Sequence, residues 1–197
     1  MFPFFAMLFR MKYIERWALM RNTQKENLSE HAMEVASVTH CLCLIHNKRF
    51  GGKVDANRGA VIGLFHDCTE ILTGDLPTPV KYHDDALRSS YKQMEKEAAV
   101  RMVKMLPTEL REEYESLLQV VPGDEYLHKL CKGADKLCAL IKCLEEEKMG
   151  NMEFASAKRA TLESIKTMEL PEVQVFMEEY LPAFALNLDE LQQLEGE

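Results

Sequence analysis

His66, Asp67 and Glu70 stand close together in an otherwise apolar run, Gly59-Ala60-Val61-Ile62-Gly63-Leu64-Phe65-His66-Asp67-Cys68-Thr69-Glu70-Ile71-Leu72. Read as one helix ending at Gly74, the run has no polar face, which is the pattern of a buried element. Ionisable side chains inside such an element are costly unless they pair or hold a metal. At about 100° per residue the three fall within a sector roughly 100° wide, with Glu70 one turn beyond His66. Gly63 projects into the same sector, and the space left there by a missing side chain suits a cation with its waters.

Two further residues extend the set. His31 heads the stripe His31, Val35, Val38, Leu42 and Ile45 in a helix that Asn27 with Glu30, or Ser29, can cap and that runs to about His46, so it points inward. Asp135 lies at the edge of the apolar face Leu127, Leu130, Ala134, Leu137, Cys138 and Ile141 of a later helix. Two imidazoles and two carboxylates form a nitrogen and oxygen ligand set without thiolate. Manganese, cobalt, iron, nickel or magnesium suits it, and zinc is less favoured. Singly, each residue has a plainer account: His31 as a core histidine bonded to a carbonyl, Asp135 as a partner for Lys132 or Lys136. The other His-Asp pair, His83-Asp84, follows a proline-rich stretch and reads as solvated surface. His31, His66, Asp67 and Asp135 taken together with Glu70 and Gly63 favour one shared site.

The elements that must position these groups are helical throughout. Helices are expected over Phe4 to Leu19, from the Asn27 cap to His46, through the apolar run to Gly74, and over Asp85 to Leu106. Others are expected over Thr108 to Val121, from an Asp124 cap to Met149, over Asn151 to Met168 and over Pro171 to Leu194. No convincing strand or repeat interrupts them, so the class is all-α, a compact single-domain helical bundle over residues 1–197. Asp75-Leu76-Pro77-Thr78-Pro79 is stiffened by its prolines and is placed to form a pocket wall.

Composition narrows the function. With 47% hydrophobic and 28% charged residues the chain is globular rather than disordered. A net charge of -8 argues against a nucleic acid polymer as partner, because such binding rests on clustered Lys and Arg. The six cysteines form no C-x-x-C pair and fall inside helical patterns, as reduced core residues of a cytoplasmic protein do. No uncharged apolar run reaches the roughly 18 residues of a membrane span, and no secretion signal is indicated.

His31, then His66-Asp67 35 residues later, then Asp135 in a later helix resembles the H…HD…D signature of the HD-domain metal-dependent phosphohydrolases. The likeness is closer to the bacterial 5'-deoxynucleotidases of the YfbR type. It is carried by Arg16-Trp17-Ala18-Leu19-Met20-Arg21-Asn22, by Glu26-Asn27-Leu28-Ser29-Glu30-His31, by the stretch from His66 to Tyr82 and by Ala134-Asp135. Cys68 and Thr69 depart from the small residues of that pattern and leave the site chemistry intact.

The resemblance implies that His31, His66, Asp67 and Asp135 hold one divalent cation, manganese or cobalt first. It implies that Glu70 is the catalytic glutamate, that Arg16 orients the 5'-phosphate and that Trp17 stacks where a 2'-hydroxyl would sit. Asp75, Leu76, Pro77 and Thr78 would line the nucleoside side. The implied reaction is hydrolysis of a 2'-deoxyribonucleoside 5'-monophosphate to deoxynucleoside and phosphate in a homodimeric cytoplasmic enzyme. Residue chemistry agrees: a cation acidifies its bound water, Asp67 can orient that water, and Glu70 on an apolar helix can protonate the departing 5'-oxygen. Spacing does not fix which carboxylate takes which proton. The nearest alternatives are an HD phosphohydrolase acting on a dNTP or a cyclic dinucleotide, and a non-catalytic metal-containing helical module that binds nucleotide.

Overall fold

The computed structural model describes residues 1–77 and 84–194, so Thr78, Pro79 and His83 lie outside the described residues. The helices are α1 (Phe4–Leu8), α2 (Leu28–Arg49), α3 (Ala56–Phe65), α4 (Glu70–Thr73), α5 (Asp85–Val103), α6 (Arg111–Leu118), α7 (Glu125–Lys148), α8 (Ala155–Lys166), α9 (Pro171–Glu179) and α10 (Leu188–Gln193). Among the described residues the only extended pairing is an isolated antiparallel bridge between Glu15 and Asn27, so the all-α expectation holds.

α2 is the element around which the others pack. Its start is fixed by a full capping box: Asn27 Oδ1 accepts the amides of Ser29 and Glu30, and Glu30 Oε2 accepts the Asn27 amide. These bonds satisfy amides that a helix start leaves open. The expected stripe is buried, with His31, Val35 and Leu42 at 0% exposure. α7 presents Leu127, Leu130, Ala134, Leu137, Cys138 and Ile141 to the same core. A second buried cluster joins Phe4, Met11, Leu28, Ala32, Phe65, Cys68, Met102 and Leu106 beneath the amino-terminal segment. The six cysteines are free.

Gly63 turns out to serve helix packing rather than a cation cavity. A Cβ on Gly63 would stand 2.8 Å from the Ala36 Cα and 3.0 Å from its amide nitrogen, so the missing side chain lets α3 lie directly on the backbone of α2. The apolar run is also not one helix. α3 stops at Phe65, residues 66–69 form a turn, and α4 begins at Glu70. Through the turn the amides reach three residues back, Cys68 to Phe65 and Glu70 to Asp67. The Gly63 carbonyl, which in an unbroken helix would accept the Asp67 amide, accepts His66 Nδ1 at 2.7 Å. A side chain takes the backbone acceptor and the helix breaks there.

Other boundaries differ from expectation for similar local reasons. The helix expected over Phe4 to Leu19 ends as α1 and a 3-10 stretch Phe9–Tyr13. Beyond it the backbone is held in extended pairing, with Leu28 N on Ile14 O and Arg16 N on Glu26 O. Trp17 then adopts φ 56°, a left-handed conformation that no right-handed helix contains. The helix expected over Asp85 to Leu106 is α5, which ends at Val103. The helices expected from Thr108 and Asn151 each open with a 3-10 turn before α6 and α8. The last expected helix is split into α9, a 3-10 stretch at Leu181–Ala185 containing Pro182, and α10. Asp124 stands before α7 without a side-chain cap bond, because its carboxylate accepts Arg58 Nε at 2.6 Å.

The loop before Glu26 is tied to α7 by a buried carboxylate. Glu146, 1% exposed, accepts the Thr23 amide at 2.9 Å, the Thr23 hydroxyl at 2.6 Å, Asn151 Nδ2 at 2.7 Å and Lys142 Nζ at 2.6 Å. Together these partners hold the Glu146 carboxyl well below the usual carboxylate range despite burial. Glu146→Ala is expected to cost about 3–5 kcal/mol in urea unfolding, because Lys142 is left buried without its counter-charge. Gly63→Ala is expected to cost about 1–3 kcal/mol by the same measurement, since its Cβ meets backbone that cannot move alone.

Candidate active site

Three separate elements bring the expected ligands together. His31 projects from the first turns of α2, His66 and Asp67 from the turn after α3, and Asp135 from the middle of α7. Ligand atoms of His31, His66 and Asp67 all lie within 4.8 Å of one another. His66 Nε2 is 2.9 Å from Asp67 Oδ2, and His31 Nε2 is 3.7 Å from that atom and 3.2 Å from Asp135 Oδ1. Asp135 Oδ2 faces Lys136 Nζ at 3.1 Å, so the plainer pairing and the shared site coexist.

The donor chemistry of this cluster fits a cation. His66 Nδ1 faces the Gly63 carbonyl, which only accepts, so Nδ1 carries a proton and Nε2 is the atom left to take a second proton or a cation. Nε2 points at a carboxylate oxygen 2.9 Å away. Two acceptors so close need a proton or a cation between them. The ring atoms His31 Nε2 and His66 Nε2 are buried and make no aligned hydrogen bond. The donors of His31, His66 and Asp67 fit a divalent ion bound through nitrogen and oxygen, and Asp135, the fourth residue expected from the sequence, stands beside that cluster through its 3.2 Å approach to His31 Nε2.

Electrostatics tells the same story. Burial by itself would raise the Asp67 carboxyl, yet the His66 ring beside it brings it down to about 2. Asp135 is likewise held well below the usual range, against burial, by His31 and Lys136. Burial would push the His31 imidazole down, but Asp135 and Glu26 on its two sides raise it above 6.5.

Arg16 and Trp17 reach the site through a residue that sequence reasoning gave no role. Glu15, next to Arg16 in sequence, pairs with Lys25 at 2.7 Å. The Arg16 side chain is 11% exposed, with Nε 3.2 Å from Glu26 Oε1 and Nη1 3.5 Å from Asp67 Oδ2. Burial opposes its charge, and Asp135, Glu26, Asp67 and Asp75 more than compensate. Trp17 donates its indole N–H to Glu26 Oε2 at 3.1 Å and lies against the Phe154 ring at 5.3 Å. Glu26 also stands 3.3 Å from His31 Nδ1. Its sequence signals are its place just before the Asn27 cap and at the head of the Glu26–His31 stretch that carries the family likeness, in a polar run that otherwise reads as surface.

Glu70 opens α4 and is buried at 6% exposure, its amide on the Asp67 carbonyl at 3.0 Å. The loop that follows turns at Gly74, whose φ of 78° favours glycine. The buried Tyr91 of α5 donates to the Gly74 carbonyl at 3.0 Å and fixes this exit. Asp75, Leu76 and Pro77 come next, half-buried, and Asp75 is near enough to Arg16 to raise it. Thr78, expected to line the same wall, lies outside the described residues.

The pattern of the family described as 5'-deoxynucleotidase YfbR-like matches residues 3–184. A curated 5'-deoxynucleotidase of Photobacterium profundum is 45% identical over 190 residues, covering 95% of this chain and 97% of its own. One from Yersinia pestis is 45% identical over 188 residues, covering 95% of both chains. Among solved structures, an HD-domain phosphohydrolase from Listeria innocua superposes with a TM-score of 0.81 at 23% identity, over 98% of this chain and 92% of that one. A cyanophage S-2L HD phosphohydrolase, solved bound to dA and one catalytic Zn2+ ion, gives 0.63 at 18% identity, over 90% and 95%. With sequence likeness running almost end to end, the chain belongs to the YfbR-like 5'-deoxynucleotidase family and has the HD-domain phosphohydrolase fold.

Proposed function

We propose that this chain is a metal-dependent 5'-deoxynucleotidase that hydrolyses 2'-deoxyribonucleoside 5'-monophosphates to deoxynucleoside and phosphate. The observation that carries the reading is the buried guanidinium of Arg16 standing 3.5 Å from Asp67, a member of the His31, His66 and Asp67 cluster. A phosphate dianion is the ligand that such a neighbourhood of cation site and arginine fork accepts.

A divalent ion bound there supplies Lewis acidity to water and to the phosphoryl oxygens it touches. Arg16 keeps N–H donors for the phosphate, since Nε faces Glu26 and Nη1 faces Asp67 and the fork has five in all. Asp67 orients the attacking water with the carboxylate oxygen not aimed at His66. Glu70, buried at the start of α4, gives a proton to the departing 5'-oxygen. Trp17 covers the sugar, and Asp75, Leu76 and Pro77 hold the nucleoside. The imidazole and carboxylate set suits a divalent transition-metal ion, and the choice of manganese or cobalt ahead of magnesium, iron, nickel or zinc rests on family likeness. No described helix is long and apolar enough to cross a membrane. Homodimer assembly and a cytoplasmic location belong to the same proposal and rest on family likeness.

A panel of deoxy- and ribonucleoside 5'-monophosphates, assayed for phosphate release after chelation and reloading with each divalent ion, tests the reading. Release from dAMP, dGMP, dTMP and dCMP with manganese or cobalt is expected, and ribonucleotides should turn over about 10-fold more slowly or worse. Equal rates on AMP and dAMP would remove the sugar selectivity. Glu70→Gln is expected to lower kcat by about 10²–10⁴-fold while metal content, read by elemental analysis, stays unchanged.

Metal affinity should fall on acidification. His31 binds its proton above 6.5 in the metal-free protein, and the ion must displace that proton to reach the ring. Below the raised value the dissociation constant for manganese, read by calorimetry across a pH series, is expected to rise about tenfold per pH unit.

A further inference from the structure

Among the described residues, Glu26 is the one carboxylate in contact with a metal-ligand candidate and with both Arg16 and Trp17. Oε1 stands 3.2 Å from Arg16 Nε and 3.3 Å from His31 Nδ1, while Oε2 accepts the Trp17 indole N–H at 3.1 Å. The residue is 9% exposed. Its backbone is pinned as well, because its carbonyl accepts the Arg16 amide at 3.0 Å and the next residue is the Asn27 cap of α2. A carboxylate so fixed has little freedom to adjust to one partner without moving the others.

We propose that Glu26 is a positioning residue that links occupancy of the metal site to the placement of Arg16 and Trp17. This rests on the function proposed above. When His31 offers Nε2 to a cation, its ring proton must lie on Nδ1, which faces Glu26, and a carboxylate behind a ligating imidazole orients the ring and strengthens it as a ligand. His66 differs, since its Nδ1 faces a neutral carbonyl. Of the four ligand candidates, His31 is therefore the one that touches Glu26 directly, while Asp67 reaches it through Arg16. The same carboxylate steadies the indole of Trp17, whose backbone at φ 56° is held by Asn22 Nδ2 on the Trp17 carbonyl at 3.1 Å. Metal binding and sugar-side geometry share one anion.

Trp17 is the only tryptophan in the chain, so the emission and the indole N–H resonance come from this residue alone. The test titrates the chelated full-length protein with zinc, a diamagnetic ion, without nucleotide. In wild type, zinc is expected to shift both Trp17 signals in step with binding measured by calorimetry. In Glu26→Gln, zinc should bind about 10- to 100-fold more weakly, and at saturation the Trp17 emission should stay put. The same variant should lose deoxy-over-ribo selectivity through a raised KM for deoxynucleotides, whereas Glu15→Gln, at an exposed neighbour, should change none of these.

A wild-type Trp17 that ignores bound zinc overturns the inference, as does a Glu26→Gln protein that keeps the full response with unchanged selectivity. The wild-type resonance decides the matter if the variant does not fold. Absence of zinc binding in wild type would sink the proposed metal-dependent function and this inference with it, whereas binding without a Trp17 response sinks this inference alone.

Discussion

Three carboxylates crowd one histidine. Glu26 approaches His31 from the Nδ1 side at 3.3 Å, and Asp67 and Asp135 approach Nε2 at 3.7 and 3.2 Å, in a place where the ring itself has no exposed surface. Like charges with so little water around them repel strongly unless positive charge is brought among them. The chain supplies Arg16, which touches two of the three, and Lys136, which touches the third. The organisation of the fold follows from this need. The extended pairing at Glu15 and Asn27, the amino end of α2, the turn after α3 and the middle of α7 each deliver part of one charge cluster.

How much of this could be read from the sequence depended on how local the cause was. His31 and Asp135 were legible because helical periodicity places them on or beside apolar stripes, and those stripes are the core faces of α2 and α7. The capping box at Asn27 was legible for the same reason, since its four residues settle it among themselves. Glu26 was not. Its partners lie ten and nine residues before it and five after it, and only the extended pairing of the chain around residues 14–28 brings them to one carboxylate. Nothing in the neighbours of Arg16 announces its burial, and only the family likeness picks it out.

Gly63 and the His66 turn show a different limit. A glycine on an inward-facing position says that a side chain is not wanted, and a cavity and a close backbone contact are the same signal in one dimension. The structure has the contact, with Ala36 occupying the space. The break in the helix arises from a bond between a side chain and a carbonyl three residues earlier, a competition that propensity does not register. That same bond decides which ring nitrogen of His66 is left to take a second proton or a cation. Helix termination and ligand tautomer are one event here, so the His-Asp pair carries its geometry in its own backbone.

α7 does two jobs at separate heights. Asp135 points into the charge cluster, and Glu146, eleven residues on and about 16 Å along the axis, grips the loop at Thr23 that leads to Glu26. The segment bearing Arg16 and Trp17 is thus fastened at its far end to the same rod that supplies an acidic ligand. Sliding or rolling that rod would disturb ion and phosphate contacts at once, which makes it a frame rather than a door.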